Sequence, residues 1–500
     1  MKKSNTGGIT RREVLKTLGA AAVGSAVGTQ ARAAQPGRGR QASEFLIRGG
    51  HVVSMDSAIG ELPTGNVHIR DGAIVAVGPA VNAPGATVID ANNAIVMPGF
   101  IETHWHMWSS LWRGMAHDAS DYFRMQSLQS SYSVGDHYVA VRYAALEAIN
   151  SGVTTCHNWA HGVRDFADLE AEMRALADVG IRARMGHTGN FVSGPVLPGD
   201  LQRALDWIAK NGQGRLSLSM LLDGAGEGFP RQVRAARQLG LKTITDHGGF
   251  LAFPDLLGPE FLMTHGTGLT PEQIDLIAKR DIKVGLCPTS DPMIGAGLPP
   301  IYPLLMGGVP LRNISFTMDV TAQAPADPFA CLRTIVNAGR IQQSGSTDLR
   351  AIAQARPAWK FTYRDAIELG TLSGANVLGI ADQTGSLTPG KRADVIVVRK
   401  DDINMLPAAG SDVTMQLVQH GQPANVDTVF IDGQLCMDLG GVHGAISQTV
   451  DLVQRLRAKG VELEEITIVD DTHHFMRHVN QKRVNAAIAG YLEKKLKPVM

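Results

Sequence analysis

The sequence predicts an α/β protein, a TIM-like (β/α)8 barrel with a small β-sandwich domain that is built from both chain ends. Three observations support this fold class. Apolar strand-like runs alternate with helical periodicities through residues 98–383, a stretch close to the ~250 residues of a typical barrel. Short β-type runs precede this middle part, and a second set follows it. Each set contains an Asp-Gly turn.

The two sets of β-type runs lie at opposite ends of the chain. The first set comprises Phe45–Val53, Asn66–Ile69, Ala73–Val77 and Thr87–Ile89, and the second comprises Asp394–Val398, Thr428–Ile431 and Leu435–Met437. Asp71-Gly72 and Asp432-Gly433 separate neighbouring runs, and Asp-Gly is a strong hairpin signal. The two sets can close into one domain, so we predict a β-sandwich of residues 45–97 plus 384–444.

The middle of the chain predicts the barrel. Its apolar runs end near Thr103, Cys156, Gly186, Leu221, Asp246, Thr264, Cys287 and Met318. Helical periodicities lie between most of them, at Val139–Ile149, Phe166–Val179, Arg203–Ala209, Arg231–Leu239 and Glu272–Lys279. An open doubly wound sheet is the alternative, but no Gly-rich dinucleotide fingerprint follows the first strand. Residues 445–500 are helical and charged in pattern, and we predict a C-terminal extension there.

The amino-acid composition limits the classes of molecule that this protein can bind. The 500 residues are 44% hydrophobic and carry 47 basic and 47 acidic side chains, so their formal net charge is zero. No charge excess is present to hold a nucleic acid or an anionic membrane, and we expect a small-molecule substrate and no nucleic acid. A homo-oligomer stays open. The four cysteines are scattered, and no spacing predicts a disulfide, which favours buried free thiols.

Residues 1–33 have the pattern of an export signal. Arg11-Arg12 precedes Leu15-Lys16, a short apolar run and the small-x-small site Ala31-Arg32-Ala33, which resembles a twin-arginine signal. The apolar run is too short for a ~20-residue membrane span, so we expect no membrane anchor after processing. We predict a periplasmic or secreted protein that begins near Ala34.

Replacing Arg11 and Arg12 with lysine should retain the protein in the cytoplasm. An unchanged location in cell fractionation would contradict this signal assignment.

Metal-competent side chains fall at the predicted strand ends, where barrel active sites gather. The first strand ends in His104-Trp105-His106, and residues two apart on a strand point to the same side. Later strands end at Asp246-His247, His265 and Asp319. Such N/O ligands suit one divalent metal, Zn²⁺ or Fe²⁺, which lowers the pKa of a water molecule toward ~7. Asp319 can then accept the water proton.

Several motifs together resemble the amidohydrolase superfamily, in the branch of cytosine deaminase and the triazine hydrolases, over residues 45–440. They are Val96 to His106, Gly152-Val153-Thr154-Thr155, His265 with Leu269-Thr270, Cys287-Pro288-Thr289-Ser290, Asp319, and Gly385 to Asp394. The resemblance implies that the metal ligands are His104, His106, His247 and Asp319. It also implies that His265 contacts the bound water or the substrate carbonyl. The fourth strand, Arg215–Leu222, has no lysine, so we expect one metal without a bridging carbamylated lysine.

One position departs from that branch. Its deaminating members usually carry a Glu three residues after the fifth-strand His, where it protonates a ring nitrogen, but here this residue is Phe250. Asp246 or Asp255 stays open as a replacement. The stretch from His247 to His265 is also short, as if a helix were missing. We therefore predict hydrolysis of a non-peptide amide, lactam or urea-type bond, with deamination of a heterocycle as the alternative.

Further side chains at strand ends are candidates for substrate binding. Trp108 follows the first strand, His161 the second and His187 the third. Aromatic side chains there can wall an apolar pocket, or they can simply pack against the barrel rim. Two other classes of function stay open: a non-hydrolytic metal-dependent lyase and a silent binding protein on the same scaffold. An intact metal-ligand set disfavours the second of these.

Overall fold

The structure, a computed structural model, describes residues 44–187, 198–222, 228–345, 348, 350, 361–407 and 412–439. The predicted export signal and the predicted C-terminal extension therefore lie outside the described residues. Within the described ranges, none of the helices has both the length and the apolar character that a membrane crossing requires.

One sheet gathers strands from both ends of the described chain. Its strands are β1 (Glu44–Val53), β2 (Glu61–Arg70), β3 (Ala73–Gly78), β4 (Thr87–Asp90), β5 (Ala94–Pro98), β14 (Val395–Arg399), β15 (Val426–Ile431) and β16 (Gln434–Asp438). The hydrogen-bonded order is β16-β15-β14-β5-β1-β2-β3, and β4 pairs with β1. Two strands separate β1 from β15, yet the rings of Phe45 and Phe430 lie 5.0 Å apart. The sheet therefore folds over its own apolar core, which confirms the predicted sandwich.

The two Asp-Gly turns explain how the chain ends meet. Asp71 and Gly72 have φ angles of 51° and 84°, and Asp432 and Gly433 have 53° and 71°. Tight hairpins of this kind need positive φ at both central positions, which is why Gly follows Asp in each. The turns also touch, because a Cβ placed on Gly433 would lie 2.6 Å from the Gly72 Cα. Close backbone packing thus joins a hairpin from each end of the chain.

The second sheet is a parallel barrel. Its strands, each hydrogen-bonded to the next, are β6 (Phe100–Ile101), β7 (Val153–Trp159), β8 (Arg182–His187), β9 (Leu216–Leu221), β10 (Ile244–Asp246), β11 (Phe261–Thr264), β12 (Lys283–Leu286) and β13 (Ile314–Phe316). The chain after β6 closes the ring, since Trp105 bridges Asn158 on one side and Asp319 on the other. The Asp319 amide donates to the His104 carbonyl at 3.0 Å, and the His106 amide donates to the Asp319 carbonyl at 2.8 Å. The predicted (β/α)8 barrel is confirmed.

Helices cover the barrel and extend its loops. In the described ranges they are α1 (Ala119–Met125), α2 (Val134–Asn150), α3 (Phe166–Val179), α4 (Pro198–Asn211), α5 (Phe229–Gln238), α6 (Pro271–Lys279), α7 (Ser290–Met293), α8 (Ile301–Met306), α9 (Pro328–Ser344), α10 (Tyr363–Leu369), α11 (Leu372–Val377) and α12 (Val413–His420). Ser133 and Asp136 form a capping box that starts α2. The structure describes every residue of the connection between β10 and β11. This connection contains two 3₁₀ turns, Gly249–Ala252 and Pro254–Leu256, and no α-helix. The predicted loss of a helix there is confirmed.

A buried ion pair joins the barrel to the sandwich. Arg182 begins β8, and its Nε and Nη2 donate to the two carboxylate oxygens of Asp394 at 2.9 and 3.2 Å. Asp394 also accepts the Asp432 amide at 2.7 Å. The carboxylate that ends the Gly385–Asp394 motif therefore has a structural role. The cysteines are all free, with three buried and Cys436 half-buried, which confirms the expectation of unpaired thiols.

Candidate metal centre and substrate cavity

Four of the predicted residues converge at the carboxyl end of the barrel. The Asp319 Oδ1 lies 3.0 Å from His104 Nε2 and 3.2 Å from His106 Nε2. Ligand atoms of His104, His106 and His247 lie within 4.8 Å of one another. Trp105, between the two histidines, is buried, and its Nε1 donates to Thr321 Oγ1 at 3.2 Å. Side chains from the first, fifth and eighth strands thus point to one place.

His265 and Asp319 both have an unusual backbone conformation. His265 and Asp319 follow β11 and β13 with φ angles of 70° and 54°, in the left-handed region. Residues other than glycine adopt this region rarely, and such strain concentrates at functional sites. Both residues lie beyond the ends of their strands and line the cavity at the barrel mouth.

Glu102 supports this arrangement from below, although sequence analysis assigned it no role. Its fully buried carboxyl accepts the backbone amides of His104 at 2.8 Å and Met318 at 3.2 Å. These bonds link the first strand to the chain beside Asp319. Burial raises the pKa of the Glu102 carboxyl to about 8. Its position two residues before the His-x-His pair was the available signal.

The electrostatics of the convergent set suit a cation. Burial lowers the pKa of His104 well below its usual value, so this imidazole is neutral and its lone pair can bind a metal. Burial alone would raise the pKa of Asp319, but the charge of His265 and hydrogen bonds to His104 and His106 lower it well below its usual range. His104 Nδ1 is also buried without a hydrogen-bond partner. Converging imidazoles and one carboxylate fit a divalent metal.

His265 is held by a carboxylate that sequence analysis did not single out. Asp291 on α7 is fully buried, and its Oδ1 lies 2.6 Å from His265 Nδ1. It directly follows the Cys287–Ser290 motif, which was the available signal. Cys287 lies close as well, with its Sγ accepting from Thr317 Oγ1 at 3.0 Å. Burial raises the pKa of the Cys287 thiol to about 12, so it stays protonated.

A cavity of about 580 Å³ opens above these residues. Its described lining residues are His106, Tyr122, Phe123, Gln126, Trp159, His161, Leu221, Leu222, Asp246, His247, His265, Thr267, Ser290, Asp291, Ile294, Ala296, Asp319, Val320 and Gln323. Apolar and aromatic groups form most of this wall, as in many small-molecule sites. The site is a pocket above the convergent His104, His106, His247 and Asp319.

Of the three predicted substrate-binding residues, His161 lines the described cavity wall, whereas Trp108 and His187 do not. His161 lies on the cavity wall, and its Nδ1 is 3.0 Å from His106 Nδ1. Trp108 stands behind it, fully buried, with its ring 4.9 Å from the His161 ring. His187 is buried at the end of β8 and is not among the described lining residues. Substrate contact by Trp108 and His187 stays a prediction. The aromatic wall comes instead from Tyr122, Phe123 and Trp159.

Comparison with known proteins agrees with this site. Residues 204–436 match the model of the amidohydrolase family. The 5'-deoxyadenosine deaminase of Methanosarcina barkeri is 27% identical over 431 residues, covering 79% of this chain and 93% of that protein. The 5-methylthioadenosine/S-adenosylhomocysteine deaminase of Moorella thermoacetica is 26% identical, covering 80% and 95%.

Solved structures show the same fold. An adenosine deaminase from Xanthomonas campestris, crystallised with bound zinc, has a TM-score of 0.66 at 20% identity, covering 83% of this chain and 98% of that one. The atrazine chlorohydrolase TrzN from Arthrobacter aurescens, as a mutant complexed with zinc and atraton, also reaches 0.66 at 18% identity, covering 82% and 100%. The chain thus resembles the amidohydrolase family, whose model matches residues 204–436.

Proposed function

We propose that this chain hydrolyses a non-peptide amide, lactam or urea-type bond with one zinc or ferrous ion. The proposal rests on the position of the Phe250 side chain. Its side chain is fully buried, with its ring 5.0 Å from Phe261 in the barrel core. Position 250 therefore supplies no acid to the cavity, and protonation of an aromatic ring nitrogen lacks its usual donor.

Asp246 and Asp255 are the two residues that could replace the missing Glu, and Asp255 is excluded. The side chain of Asp255 is 99% exposed and faces Arg280 at 3.7 Å, away from the cavity. Asp246 is buried and lines the cavity. The carboxyls that reach the substrate space are thus Asp246, Asp291 and Asp319 among the described residues.

The residues around the cavity can supply the groups that hydrolysis of an amide-type bond requires. His104, His106, His247 and Asp319 would hold the metal, which when bound polarises the carbonyl and lowers the pKa of a water molecule. His265 bonds Asp291 through Nδ1, and its Nε2 would donate to the carbonyl oxygen of the substrate. As water adds to the carbonyl carbon, Asp319 accepts its proton and delivers it to the departing nitrogen when the C–N bond breaks.

Deamination of an aminated heterocycle is the second candidate, since the relatives named above are deaminases. Asp246 or Asp291 would then have to protonate the ring nitrogen. Both lie on the cavity wall, so the geometry offers two candidate acids.

A matched substrate panel decides between the two. Metal-loaded enzyme is offered anilides, lactams and aryl ureas in one set and aminopurines, aminopyrimidines and aminotriazines in the other, with His104→Ala as the blank. We expect chelator-sensitive turnover in the first set and ammonia release at least about 100-fold slower in the second. Efficient ammonia release with no amide, lactam or urea cleavage would show the proposal wrong.

Asp291 is expected to act by positioning His265. Asp291→Ala should lower kcat about 10–100-fold with a smaller change in KM, because the imidazole loses the partner that orients it. Asp291→Asn keeps an oxygen acceptor and should recover part of this loss. Asp255→Asn is the control, since Asp255 is exposed outside the cavity. Equal kcat in wild type and Asp291→Ala, measured with metal content matched, would refute the assignment.

A further inference from the structure

A buried polar network lies beside the second barrel strand. It contains His137 on α2, Asn158 on β7, and Asp168 and Glu172 on α3, and all four side chains are fully buried. None of them is among the described residues that line the cavity. Burying charged groups costs free energy unless each group has a partner, so the contacts within the network show what it holds in place.

The ionisable members of this network are paired with one another. His137 Nδ1 lies 2.8 Å from Glu172 Oε1, and His137 Nε2 lies 3.5 Å from Asp168 Oδ2. Arg164 extends the network toward solvent, since its Nε and Nη2 donate to the two carboxylate oxygens of Asp168 at 2.8 and 2.9 Å. Burial by itself would lower the pKa of His137, but the hydrogen bond with Glu172 and the charges of both carboxylates raise it. A charged imidazole is therefore favoured between the two carboxylates, and it holds Glu172 in one orientation.

Glu172 connects these helices to β7. Its Oε2 accepts a hydrogen bond from Asn158 Nδ2 at 2.7 Å. Asn158 is the residue of β7 that forms a bridge with Trp105. The Trp105 backbone makes two hydrogen bonds to β7, at 3.0 and 2.9 Å, one on each side of Asn158. Glu172 thus anchors the part of β7 that pairs with the segment His104–His106.

The same part of β7 carries Trp159, which directly follows Asn158 and lines the cavity. The centroid of its ring lies 4.0, 5.7 and 4.9 Å from the ring centroids of His104, His106 and His247. Three of the four predicted metal ligands therefore lie against this one indole. A displacement of β7 at Asn158 would shift the backbone bridge and the Trp159 ring together, and both shifts would change how the imidazoles converge.

We propose that Glu172 is a positioning residue of the metal centre. Through Asn158 it fixes the end of β7, and the fixed strand holds the segment His104–His106 and the Trp159 ring in the arrangement that binds a divalent metal. The remaining members of the network fix Glu172 in turn. This role rests on the metal dependence of the proposed function and does not depend on which bond is hydrolysed. Residues that orient metal ligands from outside the ligand set typically change metal affinity about 10–100-fold.

Metal affinity tests this role without any substrate. Wild type and variants are stripped of metal, and their dissociation constants for Zn²⁺ are measured by competition with a chromophoric chelator. We expect Glu172→Ala to raise the Zn²⁺ dissociation constant about 10-fold or more. Glu172→Gln keeps an oxygen that can accept from Asn158, so its dissociation constant should stay within about 3-fold of wild type. Glu170→Ala is the control and should match wild type, because Glu170 is a half-buried carboxylate on the same helix outside the network.

A second variant keeps the test informative if Glu172→Ala folds poorly. Asn158→Ala removes the link to β7 and leaves the pairing between the helices intact, and it should also raise the Zn²⁺ dissociation constant about 10-fold. The double variant should bind Zn²⁺ no more weakly than Asn158→Ala alone, because both substitutions remove the same link. Denaturant titration of the metal-free samples measures any loss of stability separately.

A network that served only the packing of the helices would give a different result. Glu172→Ala would then lower the free energy of unfolding of the metal-free protein while its Zn²⁺ dissociation constant stayed at the wild-type value, and this outcome would overturn the positioning role. Additive losses of affinity in the double variant would overturn it as well. The expected affinities in a protein that hydrolyses no amide, lactam or urea would uphold the positioning role and count against the proposed function alone. Wild-type protein without measurable Zn²⁺ binding would overturn both.

Discussion

His104→Ala is expected to lower kcat/KM by at least about 10³-fold and to reduce bound metal from about one equivalent to a trace. His104 is fully buried, its Nε2 lies 3.0 Å from Asp319 Oδ1, and it belongs to both groups of converging ligand atoms. The substitution therefore removes a ligand atom that both groups share. Elemental analysis of the purified protein and steady-state kinetics on the same sample measure the two losses together.

The control for this variant is His117→Ala, because His117 is exposed on the loop before α1. It should retain wild-type metal content and turnover. Activity that survives in metal-free wild-type protein would refute the metal-dependent reaction itself. Loss of activity in His104→Ala with metal content unchanged would refute the ligand role of His104 alone.

Asp394→Ala is expected to have the largest effect on stability, about 3–5 kcal/mol in the free energy of unfolding. The substitution leaves the Arg182 guanidinium buried without its two-point partner, and it also removes the acceptor for the Asp432 amide. Denaturant titration followed by tryptophan fluorescence measures the change.

Asp90→Ala is the matched control, since Asp90 pairs with Arg48 at 4.0 Å and both side chains are more than half exposed. Exposed pairs of this kind contribute about 0–1 kcal/mol. Similar losses in the two variants would show that the buried pair does not join the two parts of the chain as described.

Local patterns predicted much of this molecule. Period-two runs and the Asp-Gly turns predicted strands whose observed bounds differ by a few residues, and the alternation of runs predicted the barrel. The spacing of His104 and His106 predicted that both imidazoles share one side, since a strand alternates its side chains regardless of context. Even the missing helix after β10 was visible as a short spacing. These features depend on residues close together in the chain.

The tertiary structure alone decided how distant side chains meet. Asp291 reaches His265 across 26 residues, and Tyr122 and Phe123 enter the cavity wall from a helix that carries no sequence signal of its role. Phe250 turns into the core and Asp255 into solvent, while Trp108 stands behind His161. Loops and short helices set these directions by packing against the barrel, and no local periodicity encodes such packing. The sequence by itself therefore determined the strands and their metal-competent ends, and only the folded chain determined which side chains face the substrate.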